Sequence, residues 1–268
     1  MNLARSLAND GHSVTILSRT SVDLSEHETR LGISWAGYDF LVSSESVSKP
    51  EIIINLANFY TKSQADASEL VEANVAFPLS LAKFCVSVNC KLIHVGSYFE
   101  DIRVNNPAPT YSASKKLVRA HLHRFAAAEG LRLAVVTAFD LYGDRDPRKK
   151  LIPTLVNHFQ SGDNPTLQLG NPNQTVPLLH ISDFCRGIIQ ILEDTDGSYC
   201  LAPDAHPTVG ELVEIFRELS TFRGSINWSG GTQFDLPLNS GLPSGPEGWS
   251  PKTQLSVGLK SALSRSAD

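Results

Sequence analysis

The sequence predicts an α/β protein built on a parallel sheet. Three observations carry that prediction. Short, β-rich runs at Ile52-Ile53-Ile54, Leu92-Ile93-His94-Val95 and Leu133-Ala134-Val135-Val136 are apolar enough for burial on both faces. Stretches with helical patterning separate them, as crossover connections between parallel strands require. The first two runs open into small or polar residues, Asn55-Leu-Ala-Asn58 and Gly96-Ser97, at the end where a parallel strand leaves its sheet.

Bulk properties bound the function. A chain of 268 residues can bury a large core and fits one α/β domain, or one with a smaller lobe. Hydrophobic residues make up 41% and charged residues 19%, the balance of a globular protein. A net charge of -5 argues against a nucleic-acid partner. The sequence carries no signal-peptide pattern and reads as lacking an apolar run as long as a membrane span, which predicts no membrane partner. Cys85, Cys90, Cys185 and Cys200 are scattered without metal-ligand spacing, so free thiols in a reducing cytoplasm are expected and no metal site is.

Taken in order, residues 1–10 read as a helix whose stripe is Leu3, Ala4, Leu7 and Ala8, stopped by Asn9-Asp10-Gly11. Residues 13–18 read as a buried strand ending at Ser18-Arg19. Residues 21–49 are polar and poorly patterned, with a short strand expected at Ile33-Ser-Trp35 and an apolar patch at 38–42. Residues 65–88 carry a long helical pattern that Pro78 should kink or restart. Residues 108–127, APTYSASKKLVRAHLHRFAA, form the next helix. Pro109 marks its approach, and Leu117, Val118, His121, Leu122 and Phe125 mark its expected core stripe. Beyond the strand candidate at 131–143 lie a charged loop, a helix from Leu151, a helix over 209–220 capped by Thr208, and a Gly/Ser/Pro-rich loop over 229–247.

Chemistry concentrates at the head of the 108–127 helix. Tyr111 and Lys115 stand one turn apart on one face. A tyrosine phenol has a reference pKa of about 10, and a neighbouring ammonium favours the phenolate, so this pair can exchange a proton with an alcohol or carbonyl. A Tyr-x-x-x-Lys spacing alone is also that of an ordinary amphipathic helix.

The strand ending in Ser97, the Tyr111-x-x-x-Lys115 helix and the following strand together resemble the extended short-chain dehydrogenase/reductases, the NAD-dependent epimerase/dehydratase family. Further segments are similar. They are Asn74-Val-Ala-Phe-Pro, Phe139-Asp-Leu-Tyr-Gly143, Gln174-Thr-Val-Pro-Leu-Leu-His-Ile-Ser-Asp183 and Gly248-Trp-Ser-Pro-Lys-Thr253. The resemblance implies a doubly wound, Rossmann-like sheet over 1–143 and a smaller α/β substrate lobe over 144–268, with 174–186 packing back on the first domain. The family's first strand and Gly-x-x-Gly-x-x-Gly loop have no counterpart here, which predicts unpaired or re-paired neighbouring strands.

The resemblance also implies roles. Tyr111 is the expected acid/base. Lys115 lowers its pKa and holds the nicotinamide ribose, and Ser97 orients the reacting oxygen. Arg19, Ala57 and Asn58 are expected along an NAD(P) cofactor, Arg19 leaning towards NADP through a 2′-phosphate. Without the glycine loop the 268-residue chain is expected to bind that cofactor weakly or not at all. Ser97, Tyr98 and Asp140 are the expected substrate contacts, Asn74 binds backbone near the site, Asp39 is expected as a turn residue although the resemblance would put it near the adenine, and Asp183 caps a helix. The implied reaction is hydride transfer at a carbinol or keto carbon, as reduction or as epimerisation, most naturally of a nucleotide-activated sugar. Two replacements count against a diphosphate: Asp140 for an Asn, and Val176 for an Arg. Tyr98-Phe99-Glu100 in place of Thr-Asp-Glu disfavours dehydration. Pairing of the 65–88 and 113–127 helices in a homodimer is implied as well. A second expectation is a non-catalytic member that binds a partner or ligand, motivated by the missing loop.

Overall fold

The computed structural model describes residues 1–38, 49–61, 66–103, 105–160, 166–221, 225–234, 236 and 241–265. Asp39 and most of the 38–42 patch lie outside them, as does Ala65. The first unit is α1 (Asn2–Asn9), β1 (Val14–Leu17), α2 (Glu26–Arg30) and β2 (Ile33–Ala36). α2 falls in the stretch expected to be unpatterned. It forms because Ser25 and Glu28 make a reciprocal capping box, and Arg5 of α1 reaches the buried Glu28 carboxylate at 2.7 Å. β1 and β2 pair in parallel.

Next come β3 (Ile52–Asn55), α3 (Ala67–Val71), a π turn over Glu72–Ala76, α4 (Phe77–Val88) and β4 (Lys91–Ser97). Pro78 has no N–H to offer the carbonyl of Asn74, four residues back, and the wide turn falls there. The 22 residues from Ala67 to Val88 are, by length and apolarity, enough to cross a membrane, which corrects the expectation that no run is that long. Leu70, Val75, Leu81, Ala82 and Cys85 of this stretch are buried in the core, while Val71 is 51% exposed.

After a 3-10 turn (Tyr98–Asp101) follow α5 (Pro109–Glu129), β5 (Leu133–Ala138) and β6 (Asp140–Tyr142). Pro109 is the first residue of α5 rather than its approach; its missing N–H has no bond to make there. The buried face of α5 also differs from expectation. It runs through Tyr111, Ser114, Lys115, Val118 and Leu122, while Leu117 is 48% exposed. The chain closes with α6 (Leu151–Gln160), β7 (Leu167–Leu169), β8 (Leu178–His180), α7 (Ile181–Glu193), β9 (Gly197–Leu201), α8 (Val209–Leu219), β10 (Ile226–Trp228) and α9 (Leu255–Arg265). Thr208 caps α8 as expected, in a capping box with Glu211.

The central sheet is parallel, in the order β3-β4-β5-β9. α1 and α7 cover one face through Leu3, Leu7, Phe184 and Ile188, and α4 and α5 cover the other through Leu81, Cys85, Val118 and Leu122. This is the doubly wound arrangement. Among the described residues β1 pairs only with β2, and β3 only with β4, so the edges of β1 and β3 that face away from those partners carry unpaired backbone groups. β6 pairs with β8, and β7 with β10, in two short parallel ribbons. α6, α8 and α9 enclose a separate core around Leu155, Phe159, Leu212, Phe216 and Leu259.

Two buried charges tie distant segments together. Lys91 Nζ, fully buried, donates to the carbonyls of Ile191 and Asp194 at 2.7 and 2.8 Å and so closes the C-terminal end of α7. Asp183 was expected to cap its own helix. His180 does that instead, its ring accepting from the Ser182 N–H. The Asp183 carboxylate is spent on the C-terminal segment, accepting the Lys252 and Thr253 N–H groups at 3.1 and 3.0 Å. All four cysteines are free and buried.

Candidate active site

Ser97 ends β4, where the chain leaves the sheet into the 3-10 turn. Its Oγ accepts the Phe99 N–H at 3.3 Å, and its own N–H donates to Glu100 Oε1 at 2.8 Å. The turn is pinned to α5 by Ser112, whose hydroxyl donates to the Phe99 carbonyl at 2.5 Å. That fixes the head of α5, and the side chains of Ser97 and Asn58 hydrogen-bond the Tyr111 phenol. Asn74, fully buried in the π turn, clamps the loop that carries Asn58. It accepts the Phe59 N–H and donates to the Phe59 carbonyl, both at 2.8 Å, and donates to Ser114 Oγ at 3.2 Å. The structure therefore brings Ser97, Tyr111, Asn58 and Asn74 into one network.

Lys115 is 2% exposed, with Nζ 3.5 Å from the Val95 carbonyl. Burial lowers its pKa to about 8, and the Glu100 charge opposes that fall. The phenol behaves differently from the sequence expectation. Burial pushes Tyr111 up to about 12, and the hydrogen bonds from Ser97 and Asn58 only partly offset this. Tyr111 thus holds its proton at neutral pH and is poised as a donor. Beside Lys115, His94 is held neutral, its pKa lowered to about 3 by burial and by the Lys115 charge.

The wall around Tyr111 is aromatic. Tyr60 and Phe99 meet its ring edge-on with centroids at 5.0 and 5.9 Å, and Phe234 lies 6.2 Å from Phe99. Tyr98, expected at the substrate, is 2% exposed and stacks on Phe139; its hydroxyl donates to Asp140 Oδ2 at 2.8 Å. Asp140, partly exposed, has Lys150 Nζ 3.7 Å from its other oxygen. Tyr98 therefore orients Asp140, and Asp140 with Lys150 presents the charged side of the site.

Ala57 follows β3, with its N–H accepted by Asn55 Oδ1 at 3.0 Å, and Asn58 reaches Tyr111 rather than serving only as wall. Arg19 stands exposed just beyond β1, on the β1–β2 ribbon and not on the sheet that carries Ser97. These residues fit the nicotinamide end of an NAD(P) cofactor. Lys115 is a buried ammonium whose hydrogen bond to the Val95 carbonyl is long, so it retains donors for a ribose. Sequence reasoning missed Glu100, Tyr60, Asn58 as a partner of Tyr111, and Lys150. Glu100 was findable, since Ser97-x-x-Glu100 is a capping-box spacing. Tyr60 and Lys150 carry no local signal.

Residues 1–200 match the model of the NAD dependent epimerase/dehydratase family. A CDP-abequose synthase from Yersinia pseudotuberculosis is 27% identical over 196 residues, which cover 68% of this chain and 67% of the relative. The fold is that of a UDP-glucose 4-epimerase from Thermotoga maritima solved with UDP-glucose (TM-score 0.80, 17% identity, covering 98% of this chain and 94% of that one). It is likewise that of RMD from Pseudomonas aeruginosa solved with NADPH (TM-score 0.73, 16% identity, 95% and 98%). With three quarters of its length matched and the Ser97–Tyr111–Lys115 arrangement in place, the chain belongs to the NAD dependent epimerase/dehydratase family.

Proposed function

We propose that this protein is an NAD(P)-dependent ketoreductase acting on a keto carbon of a nucleotide-activated sugar. The observation that carries the reading is Tyr111: a buried phenol, protonated at neutral pH, hydrogen-bonded to Ser97 and one turn from a buried ammonium. The bound cofactor supplies the hydride. The chain's own residues do the rest. Ser97 Oγ holds the carbonyl oxygen, Tyr111 delivers its proton to the oxyanion that forms, and Lys115, fixed behind it, stabilises the phenolate left behind. The similarity to a CDP-abequose synthase supports a nucleotide-activated sugar as the substrate class. The core enclosed by α6, α8 and α9 within 144–268 is proposed as the substrate lobe, while α7 and β9 of that segment belong with the central sheet of the 1–143 domain.

Replacing Tyr111 with phenylalanine removes the proton donor and keeps the ring packing. Turnover of a nucleotide keto sugar with NADPH should fall by about 10²–10⁴-fold. Wild-type turnover in this variant sinks the assignment.

A further inference from the structure

Two buried polar side chains meet where β3 runs into the loop that carries Asn58. Asn55 ends β3 and stands in register with His94 of β4. Asn55 Nδ2 lies 3.0 Å from His94 Nδ1, while Asn55 Oδ1 accepts the Ala57 N–H at 3.0 Å. The second bond decides the direction of the first. An amide carries its lone pairs on oxygen and its protons on nitrogen, so with Oδ1 turned to Ala57 the nitrogen must donate. His94 Nδ1 therefore accepts. Burial holds the ring neutral, and its one proton then sits on Nε2. That atom is buried and finds no partner among the described residues. An imidazole with an unsatisfied nitrogen is costly to bury, and a phenylalanine would fill the space without that cost. What the histidine offers instead is the lone pair on Nδ1.

The loop needs that lone pair. Asn58 hydrogen-bonds the Tyr111 phenol and lies between two clamps. On one side Asn74 holds both backbone groups of Phe59. On the other, Asn55 holds the N–H of Ala57. If the Asn55 amide turned over, its NH2 group would meet the Ala57 N–H, donor against donor, and the second clamp would open. His94 Nδ1 blocks that turn, because its lone pair attracts a donor and repels an oxygen. We propose that Asn55 and His94 are positioning residues for Tyr111: His94, as its Nε2–H tautomer, orients the Asn55 amide, and Asn55 sets the turn at Ala57 that delivers Asn58 to the phenol. The inference rests on the proton-donor role proposed for Tyr111. It adds that the donor is aligned from the sheet as well as from its own helix.

NMR of the 15N-labelled His94 ring reads the tautomer directly and needs no turnover. The proton should sit on Nε2 in the wild-type chain. Asn55→Asp keeps an acceptor for Ala57 and has no donor left, so His94 Nδ1 should then carry a proton. The effect on the site is read from the 13Cζ resonance of Tyr111, which follows the hydrogen bonds to its hydroxyl. His94→Phe and Asn58→Ala should each shift it, and the double variant should shift it no further than Asn58→Ala alone. With a nucleotide keto sugar and NADPH, each of these variants should lower kcat by about tenfold to a hundredfold with KM little changed, the double again no more than Asn58→Ala. His94→Gln restores an acceptor and should recover most of the loss. If His94→Phe does not fold, the wild-type tautomer and its change in Asn55→Asp still decide. A His94 proton on Nδ1 in the wild type overturns the proposal, as do additive effects of His94→Phe and Asn58→Ala on the Tyr111 resonance. Absence of reductase turnover in the wild type, with both resonances as expected, overturns the functional reading alone.

Discussion

Asp183 offers a quantitative test of how the C-terminal segment is held. Its carboxylate is 1% exposed and accepts two backbone N–H groups, of Lys252 and Thr253, together with Arg186 Nη1 at 2.6 Å. Asp183→Ala removes both backbone bonds and leaves two N–H groups facing an apolar gap. Hydrogen bonds to a charged group contribute about 1.5–3 kcal/mol each, so the two together are worth about 3–6 kcal/mol. The Arg186 pair adds little, because the guanidinium is partly exposed. Against a typical total of about 5–15 kcal/mol, that is a severe loss. Asp183→Asn keeps one acceptor oxygen and should lose about half as much. Urea unfolding measures the loss, and trypsin cleavage at Lys252 reports whether the segment detaches first. The pH dependence follows. Burial works against the Asp183 charge, but the Thr253 N–H, Arg186 and the Lys252 N–H outweigh it and lower the pKa. A carboxylate with a lowered folded pKa stabilises the fold above its unfolded value near 4, and the contribution fades as pH falls through the folded value. An alanine variant with wild-type unfolding and wild-type resistance to trypsin refutes the reasoning.

A further outcome is expected for the loop at the site. Asn74→Ala leaves the Phe59 N–H and carbonyl unpaired, and should lower stability by about 2–4 kcal/mol in thermal unfolding and loosen the loop that holds Asn58 at Tyr111.

The strands that build the central sheet were legible because burial on both faces leaves long β-branched runs, as in Ile52–Asn55 and Lys91–Ser97. The Tyr111–Lys115 spacing was legible because a helix fixes it. The core stripe of α5 was legible only in part. Hydrophobicity pointed to Val118, Leu122 and Phe125, which do pack on the core, but also to Leu117, which is exposed, and it passed over Lys115, a buried charge that periodicity counts as polar. The strand candidate at 131–143 was read as one run and is two, β5 and β6, because nothing in it marks where pairing passes from β4 to β8. The sign of the Tyr111 shift also lay beyond the sequence. Lys115 is one turn away, but how deeply both groups are buried depends on residues such as Phe99 and Tyr60 packed around them.

The split between the β1–β2 ribbon and the four-stranded sheet has an energetic consequence. Among the described residues, no ladder of backbone hydrogen bonds crosses from one to the other; the join is made by side chains, Leu3 and Leu7 of α1 and Val14 of β1 packing on the cluster that includes Phe184 and Ile188 of α7, and Tyr38 stacking on Phe77 of α4. Apolar packing of that kind is short-ranged and is lost together once the helices part, whereas a continuous ladder yields rung by rung. Opening of residues 1–36 is therefore expected to cost less than global unfolding and to leave the sheet that carries Ser97 intact, which amide hydrogen exchange would register as weaker protection in that segment.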